Sequence, residues 1–191
     1  MASYRGQANS RWAGGPGESM WESLSSLGST LLDKLPLVDV LLARSKARQE
    51  HDRARFKEID EMLPEATVHC YIDDAINHEF RDDNRPSEVD QYLEWTLLSG
   101  SQFMIGRLNR SRKAFDRSLN KLRNFCALNF FPDHTGNRLL FRPDQNPRWS
   151  SPSQNDLRYF RECEGELDEN ARRSSLAYRA FRRLVKKTLY V

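Results

Sequence analysis

The stretch that decides the predicted fold is residues 86–131, which read PSEVDQYLEWTLLSGSQFMIGRLNRSRKAFDRSLNKLRNFCALNFF. Apolar side chains recur in it at helical spacing, namely at Val89, Leu93, Leu97, Met104, Leu108, Phe115, Leu119, Leu122 and Cys126. This pattern predicts one long central helix over Pro86–Phe131. The expected kink is Ser99-Gly100-Ser101, because glycine costs about 1 kcal/mol relative to alanine inside a helix. The 4-3-4 spacing from Phe115 to Cys126 is typical of a coiled-coil-like helix partner.

Long helices are also predicted before and after this central one. The first covers residues 37–81, either kinked at Pro64 or divided there into 37–62 and 65–81, because proline ends or bends a helix. The last covers Asp156–Tyr190, and its apolar stripe is predicted at Leu157, Phe160, Leu167, Ala171, Tyr178, Phe181 and Val185. Between the central and the last helix lies an irregular insertion, 132–154, which contains four of the eight prolines. Within it, residues 138–141 are predicted to form a hairpin or a single strand. The fold class is therefore predicted as all-α: an up-down bundle of three long antiparallel helices, or four if Pro64 splits the first.

The remaining N-terminal residues are predicted to fall into two parts. Residues 1–19 are rich in Ser, Gly, Arg and Asn and predict a flexible tail, which leaves 20–191 as a single helical domain. Residues 20–32 predict a short amphipathic helix that either packs on the protein's own core or docks on a membrane or a partner. No apolar run is long enough to span a bilayer, and the N-terminus lacks the apolar core of a secretory signal. With three scattered cysteines, this favours a cytoplasmic protein without a disulfide framework or zinc site.

Charge is patterned along the chain although the net charge is only +3. Residues 104–126 carry seven bases and one acid, namely Arg107, Arg110, Arg112, Lys113, Arg117, Lys121 and Arg123 against Asp116. Residues 58–83 and 156–169 are acidic, and residues 172–187 are basic. We expect antiparallel packing to set the central basic run beside the acidic start of the last helix, and the basic end of the last helix beside the acidic residues 58–83 of the first. What that pairing leaves unpaired forms a candidate polyanion-binding face, assigned to Arg107, Arg110, Lys113, Arg117 and Lys121.

Signatures of catalysis are sparse in the sequence. It contains no GxSxG, P-loop, HExxH or GxGxxG motif, so no catalytic or cofactor-binding residue is assigned and no cofactor is expected. Glu65, His69 and Asp73, with Asp74 and His78, are spaced to seed a metal site on one helix. The sequence favours a solvated acidic face instead, because the ExxH pairing of ferritin-like di-iron bundles is absent. The spacing of Arg44 and His51 resembles the R-x(4–6)-H motif of HEPN ribonucleases, which are also helical bundles. Here the pair lies in an early helix, whereas that family carries it in a late one.

These observations predict a non-enzymatic interaction or scaffold protein, with a protein partner or self-association through exposed stripe residues such as Phe115 and Leu122. One alternative is a helical bundle that binds nucleic acid or another polyanion through the central basic face. The other is a metal-dependent or ribonuclease-type helical enzyme.

Overall fold

A computed structural model describes residues 35–81, 87–142 and 153–191 of the chain, and it is mostly helical. The predicted tail (1–19) and the amphipathic segment (20–32) lie outside the described residues. The described helices are α1 (Leu35–Met62), α2 (Glu65–Ile76), α3 (Ser87–Thr96), α4 (Gly106–Asn129) and α5 (Gln154–Leu189). The described strands are β1 (Glu79–Arg81), β2 (Phe130–Pro132) and β3 (Arg138–Phe141).

The chain divides into two compact units, residues 1–45 and 46–191. Of the first unit, the structure describes only the start of α1, where Val38, Val40, Leu41 and Leu42 are exposed. The second unit contains the sheet, helices α2 to α5 and the remainder of α1. In the described residues, no helix is both long and apolar enough to cross a membrane.

Pro64 divides the first predicted helix into α1 and α2, as one of the two predictions stated. The proline has extended backbone angles (φ −55°, ψ 150°) and no N–H to donate, so the helical ladder stops at Met62 and restarts at Glu65. The direction of the chain does not reverse there. From residue 46 onward, residues that lie later in the chain contact earlier residues of α5: Arg53 contacts Leu189, Phe56 contacts Phe181, His69 contacts Tyr178, and His78 contacts Phe160. This part of the chain therefore runs antiparallel to α5 on both sides of the proline.

The single helix predicted over Pro86–Phe131 is wrong, because the chain reverses direction between Thr96 and Gly106. A short 3-10 turn covers residues 99–101, and Leu98, Gln102 and Ile105 are extended. The hydroxyl of Ser101 donates to the carbonyls of Thr96 and Leu98, so a side chain satisfies backbone groups that a continuing helix would have used. The predicted kink at 99–101 is a complete break.

Helix α3 therefore folds back along α4. The Tyr92 hydroxyl donates to Asp116 at 2.6 Å, and Arg123 Nε donates to Asp90 at 2.8 Å, so residue numbers on the two helices run in opposite directions. This extra reversal makes α5 antiparallel to both α2 and α4. The all-α class broadly fits, but the described helices do not form the predicted three-helix up-down order.

A small antiparallel sheet lies at the end of the bundle where α2 and α4 finish. Strands β2 and β3 form the hairpin predicted near residues 138–141, and β1 pairs on the other side of β3, giving the order β1-β3-β2. The helix predicted to run to residue 81 ends at Ile76 instead, since His78 turns the chain with a φ of 62°. Phe80, Phe130 and Phe141 pack together beneath the sheet, with ring centroids 4.9–5.4 Å apart.

Helix α5 carries the centre of the core, because it packs against both α2 and α4. Its buried stripe includes Leu167, Ala171, Tyr178, Phe181 and Val185, as the spacing predicted. The α4 stripe from Leu108 to Cys126 is buried as well. The predicted self-association surface at Phe115 and Leu122 is therefore wrong, since both side chains are fully buried in this core.

Candidate polyanion-binding surface

Asp52 of α1 fixes the start of helix α4. Its fully buried carboxylate accepts hydrogen bonds from the backbone N–H groups of Met104 (2.7 Å) and Ile105 (2.9 Å). A negative charge at a helix N-terminus is also favoured by the helix dipole. The same carboxylate lies 3.1 Å from Nδ1 of His51. The first turn of α4 is thus held in place by a side chain more than fifty residues earlier in the chain.

The five predicted binding residues lie along one exposed face of α4. Arg107, Arg110, Lys113, Arg117 and Lys121 follow one another at steps of three, three, four and four residues, and all five are exposed. We call these five residues the α4 ridge. At 1.5 Å per residue, the ridge is about 21 Å long. Its position follows from the buried stripe, because at 3.6 residues per turn the four ridge residues from Arg110 to Lys121 lie on the side of the helix away from Phe115 and Leu122.

Little of the α4 ridge is neutralised by other residues that the structure describes. Lys121 Nζ lies 3.9 Å from a carboxylate oxygen of Glu166 on α5, and both side chains are more than half exposed. The other four cations form no ion pair within 4 Å among residues 35–81, 87–142 and 153–191. In the described part of the chain, the predicted pairing between the central basic run and the acidic start of α5 therefore involves Lys121 alone. An exposed pair of this kind is worth at most about 1 kcal/mol.

Two bases of the predicted run, the buried Arg112 and the partly exposed Arg123, contribute to the contact between α3 and α4. Arg112 is only 2% exposed, and its Nη1 lies 3.3 Å from Asp116, which also accepts the Tyr92 hydroxyl. Arg123 pairs with Asp90. Burial raises the pKa of Asp116, and this effect outweighs the hydrogen bond from Tyr92 and the charge of Arg112, which lower it. Burial likewise raises the pKa of Tyr92.

Acidic side chains flank the α4 ridge on both sides. A groove of about 440 Å³ separates α3 from α4, and Asp90, Glu94 and Asp116 contribute to its lining together with Arg117 of the ridge. On the α5 side, Glu166 lies beside Lys121. The positive surface is therefore a band about one helix wide. A polyanion that spread sideways from it would meet carboxylates of its own sign.

A second basic surface on α5 was missed by the sequence reasoning, which assigned residues 172–187 to pairing with the first helix. Arg182 does pair across to Asp60 and, at 3.0 Å, to Glu65, while Arg172 and Arg173 pair with Glu169 on their own helix. Four exposed bases remain without an ion pair in the described residues, and we call them the α5 patch: Arg179, Arg183, Lys186 and Lys187. Helical spacing in the sequence could have predicted this patch, because its positions do not fall on the buried stripe Tyr178, Phe181 and Val185.

The candidate metal and catalytic residues do not form a site in the described residues. His69 lies 3.7 Å from Glu65, whose carboxylate also binds Arg182, and His78 lies 3.8 Å from Glu164 on α5. No group of three or more His, Cys, Asp or Glu side chains in residues 35–81, 87–142 and 153–191 is arranged to hold a metal ion. His51 contacts Asp52, whose carboxylate already holds the start of α4.

Comparisons with known proteins give no family for this chain. No protein-family model matches it, and no curated protein or solved structure is significantly similar to it. The functional argument therefore rests on the geometry of the α4 ridge.

Proposed function

We propose that this protein is a non-enzymatic binding module whose α4 ridge holds a polyanion. The observation that carries the proposal is the row of exposed cations on one helix face, four of which have no acidic partner in the described residues. Aligned cations that the described part of the chain leaves unneutralised attract a polyanion and release its counterions on binding. A rigid helix also fixes their spacing before any ligand arrives.

The environment of three of the four histidines supports a binding role over a catalytic one. His51 is engaged with Asp52, His69 with Glu65, and His78 with Glu164. Asp116, the acid whose pKa is raised by burial, is held by Tyr92 and Arg112 and so joins α3 to α4. Each of these groups has a structural partner that accounts for its position.

The test is retention on immobilised heparin, a dense polyanion, with salt used for elution. The variant Arg110→Glu/Lys113→Glu/Arg117→Glu reverses three charges of the ridge. The matched control, Arg179→Glu/Arg183→Glu/Lys186→Glu, makes the same change in net charge on the α5 patch. We expect the ridge variant to elute at clearly lower salt than the control. An equal shift in both variants, or no retention of the unaltered protein, would contradict the proposal.

Self-association is a second candidate function, favoured by apolar side chains at the connection between α3 and α4. Leu97, Leu98 and Met104 are 84%, 60% and 57% exposed, respectively. Burying such side chains between two copies would be favourable at about 25 cal/mol per Å². Light scattering should then give a mass above 22.3 kDa, reduced in the variant Leu97→Gln/Leu98→Gln. A monomer at all concentrations would remove this candidate.

A further inference from the structure

We infer that the polyanion held by the α4 ridge is a double-stranded nucleic acid, bound through its phosphates without readout of the bases. This inference rests on the proposed function and names its ligand. Three features of the ridge carry it: the chemistry of its exposed side chains, its stiffness, and the acids that flank it.

The exposed face of α4 offers no surface on which bases can stack. The aromatic side chains of α4 point inward, since Phe115 is fully buried and Phe125 is half-buried against Phe141. Proteins that bind single strands gain about 1–3 kcal/mol per base from such stacking. Binding to the ridge is therefore electrostatic, and it increases with the charge density of the ligand. A duplex carries one charge per about 1.7 Å of axis, which favours it over a single strand.

The ridge lies on one continuous helix, and the ends of that helix are fixed. Asp52 holds the first turn of α4, and the last turn leads directly into β2 of the sheet. Successive cations are about 4.5–6 Å apart along the helix axis. A duplex is stiff over about 150 base pairs, so it loses little conformational freedom when it aligns with such a row. A flexible single strand must be ordered at an additional entropic cost.

The flanking acids favour a narrow ligand over a flat one. A planar anionic membrane that touched the ridge would also approach Glu94 and Glu166 on either side. Like charges brought together in this way oppose binding. A rod that lies along the ridge curves away on both sides, so fewer of its phosphates approach these acids than in a planar surface.

The inference gives a quantitative expectation for the salt dependence. If all five cations neutralise phosphates, the slope of log K against log salt is about −4.5 for a duplex and about −3.5 for a single strand. Duplex affinity should then fall about 500-fold between about 50 and 200 mM salt. Removing one cation, as in Arg110→Gln, should reduce the slope by about 0.9, with the same effect on every sequence.

Fluorescence anisotropy with the full chain tests the inference, using a labelled mixed-sequence DNA duplex, its separate strands, and phosphatidylserine vesicles as competitor. We expect the duplex to bind more tightly than either strand, independently of sequence, with the slope given above. Arg110→Gln should weaken duplex binding, whereas the control Arg183→Gln on the α5 patch should not. Circular dichroism confirms that both variants remain folded.

Several outcomes would overturn the inference while leaving the proposed function intact. One is tighter binding of the single strands than of the duplex, and another is stronger competition by the vesicles than by unlabelled duplex. A third is retention on heparin without any duplex binding, which would point to an acidic protein partner. Failure to bind both heparin and the duplex would instead remove the proposed function itself.

Discussion

The substitution Asp52→Ala is expected to lower the free energy of unfolding by about 3–6 kcal/mol. The carboxylate is fully buried and accepts two backbone hydrogen bonds, from Met104 and Ile105. A hydrogen bond to a charged group contributes about 1.5–3 kcal/mol, and alanine would leave both N–H groups without this acceptor. Since a domain is stable by only about 5–15 kcal/mol in total, this loss would be a large fraction of it.

Urea unfolding followed by circular dichroism measures this effect, with the free energy obtained by linear extrapolation. Glu50→Ala is the matched control, because Glu50 is an exposed acid two residues away on the same helix and its loss should change stability by no more than about 0.5 kcal/mol. Asp52→Asn keeps one acceptor oxygen and should fall between the two. If Asp52→Ala lies within about 1 kcal/mol of Glu50→Ala, the carboxylate does not hold the start of α4.

Four further predictions concern buried and strained groups. Tyr92→Phe should lower the free energy of unfolding in urea by about 1–2 kcal/mol. The loss should be smaller in an Asp116→Asn background, because the 2.6 Å hydrogen bond from Tyr92 to Asp116 is then already altered. Equal losses in both backgrounds would argue against this coupling. Burial raises the pKa of Asp116 above its usual 3.8, because the charged carboxylate is penalised in the folded state. The wild type should therefore lose stability relative to Asp116→Asn as the pH rises from below 3.8 through the raised pKa. A stability difference that stays constant across that pH range would contradict this prediction. Burial raises the pKa of Cys126 to about 12. Iodoacetamide at mildly alkaline pH should therefore modify the exposed Cys70 in the folded protein and leave Cys126 intact, as measured by mass spectrometry. Rapid labelling of Cys126 would show that the core around it opens to solvent. Tyr190 ends α5 in the left-handed conformation, with a φ of 57°, and its side chain is exposed. Because glycine adopts this conformation without a steric penalty, Tyr190→Gly should stabilise the protein by about 1 kcal/mol in thermal unfolding. A lower melting temperature would refute this prediction.

The apolar stripes could be located from the sequence because burial repeats every three or four residues in a helix. Spacing alone placed Leu167, Ala171 and Phe181 in the core of α5. The reversal before α4 could not be found in this way. It depends on Asp52, which satisfies backbone groups of Met104 and Ile105 from a distant part of the chain.

The end of α2 shows the same limit of local reasoning. Val68, Ile72, Ile76 and Phe80 follow one another at helical spacing, which predicts a continuous helix. The structure places Phe80 in β1 instead, paired with Leu139 of β3 about sixty residues later in the chain. A hydrogen-bonded partner that is distant in sequence overrides the local pattern, and no window of adjacent residues contains that partner.

The candidate binding residues were predictable in position but not in which of them are neutralised. The face opposite Phe115 contains the α4 ridge, and helical geometry alone gives that face. Arg112 lies four residues after Leu108 and three before Phe115, so the same geometry assigns it to the apolar side, where it is buried. Whether Lys121 reaches Glu166 depends on the distance between two helices, which the sequence does not contain.

The central position of α5 has a consequence for how the protein is made. Both α2 and α4 bury their apolar faces against this helix, yet it is synthesised after them. Until the segment from Gln154 onward leaves the ribosome, the growing chain must carry side chains such as Val68 and Leu119 without their final cover. We therefore expect synthesis, more than equilibrium stability, to be the stage at which this protein most needs a chaperone.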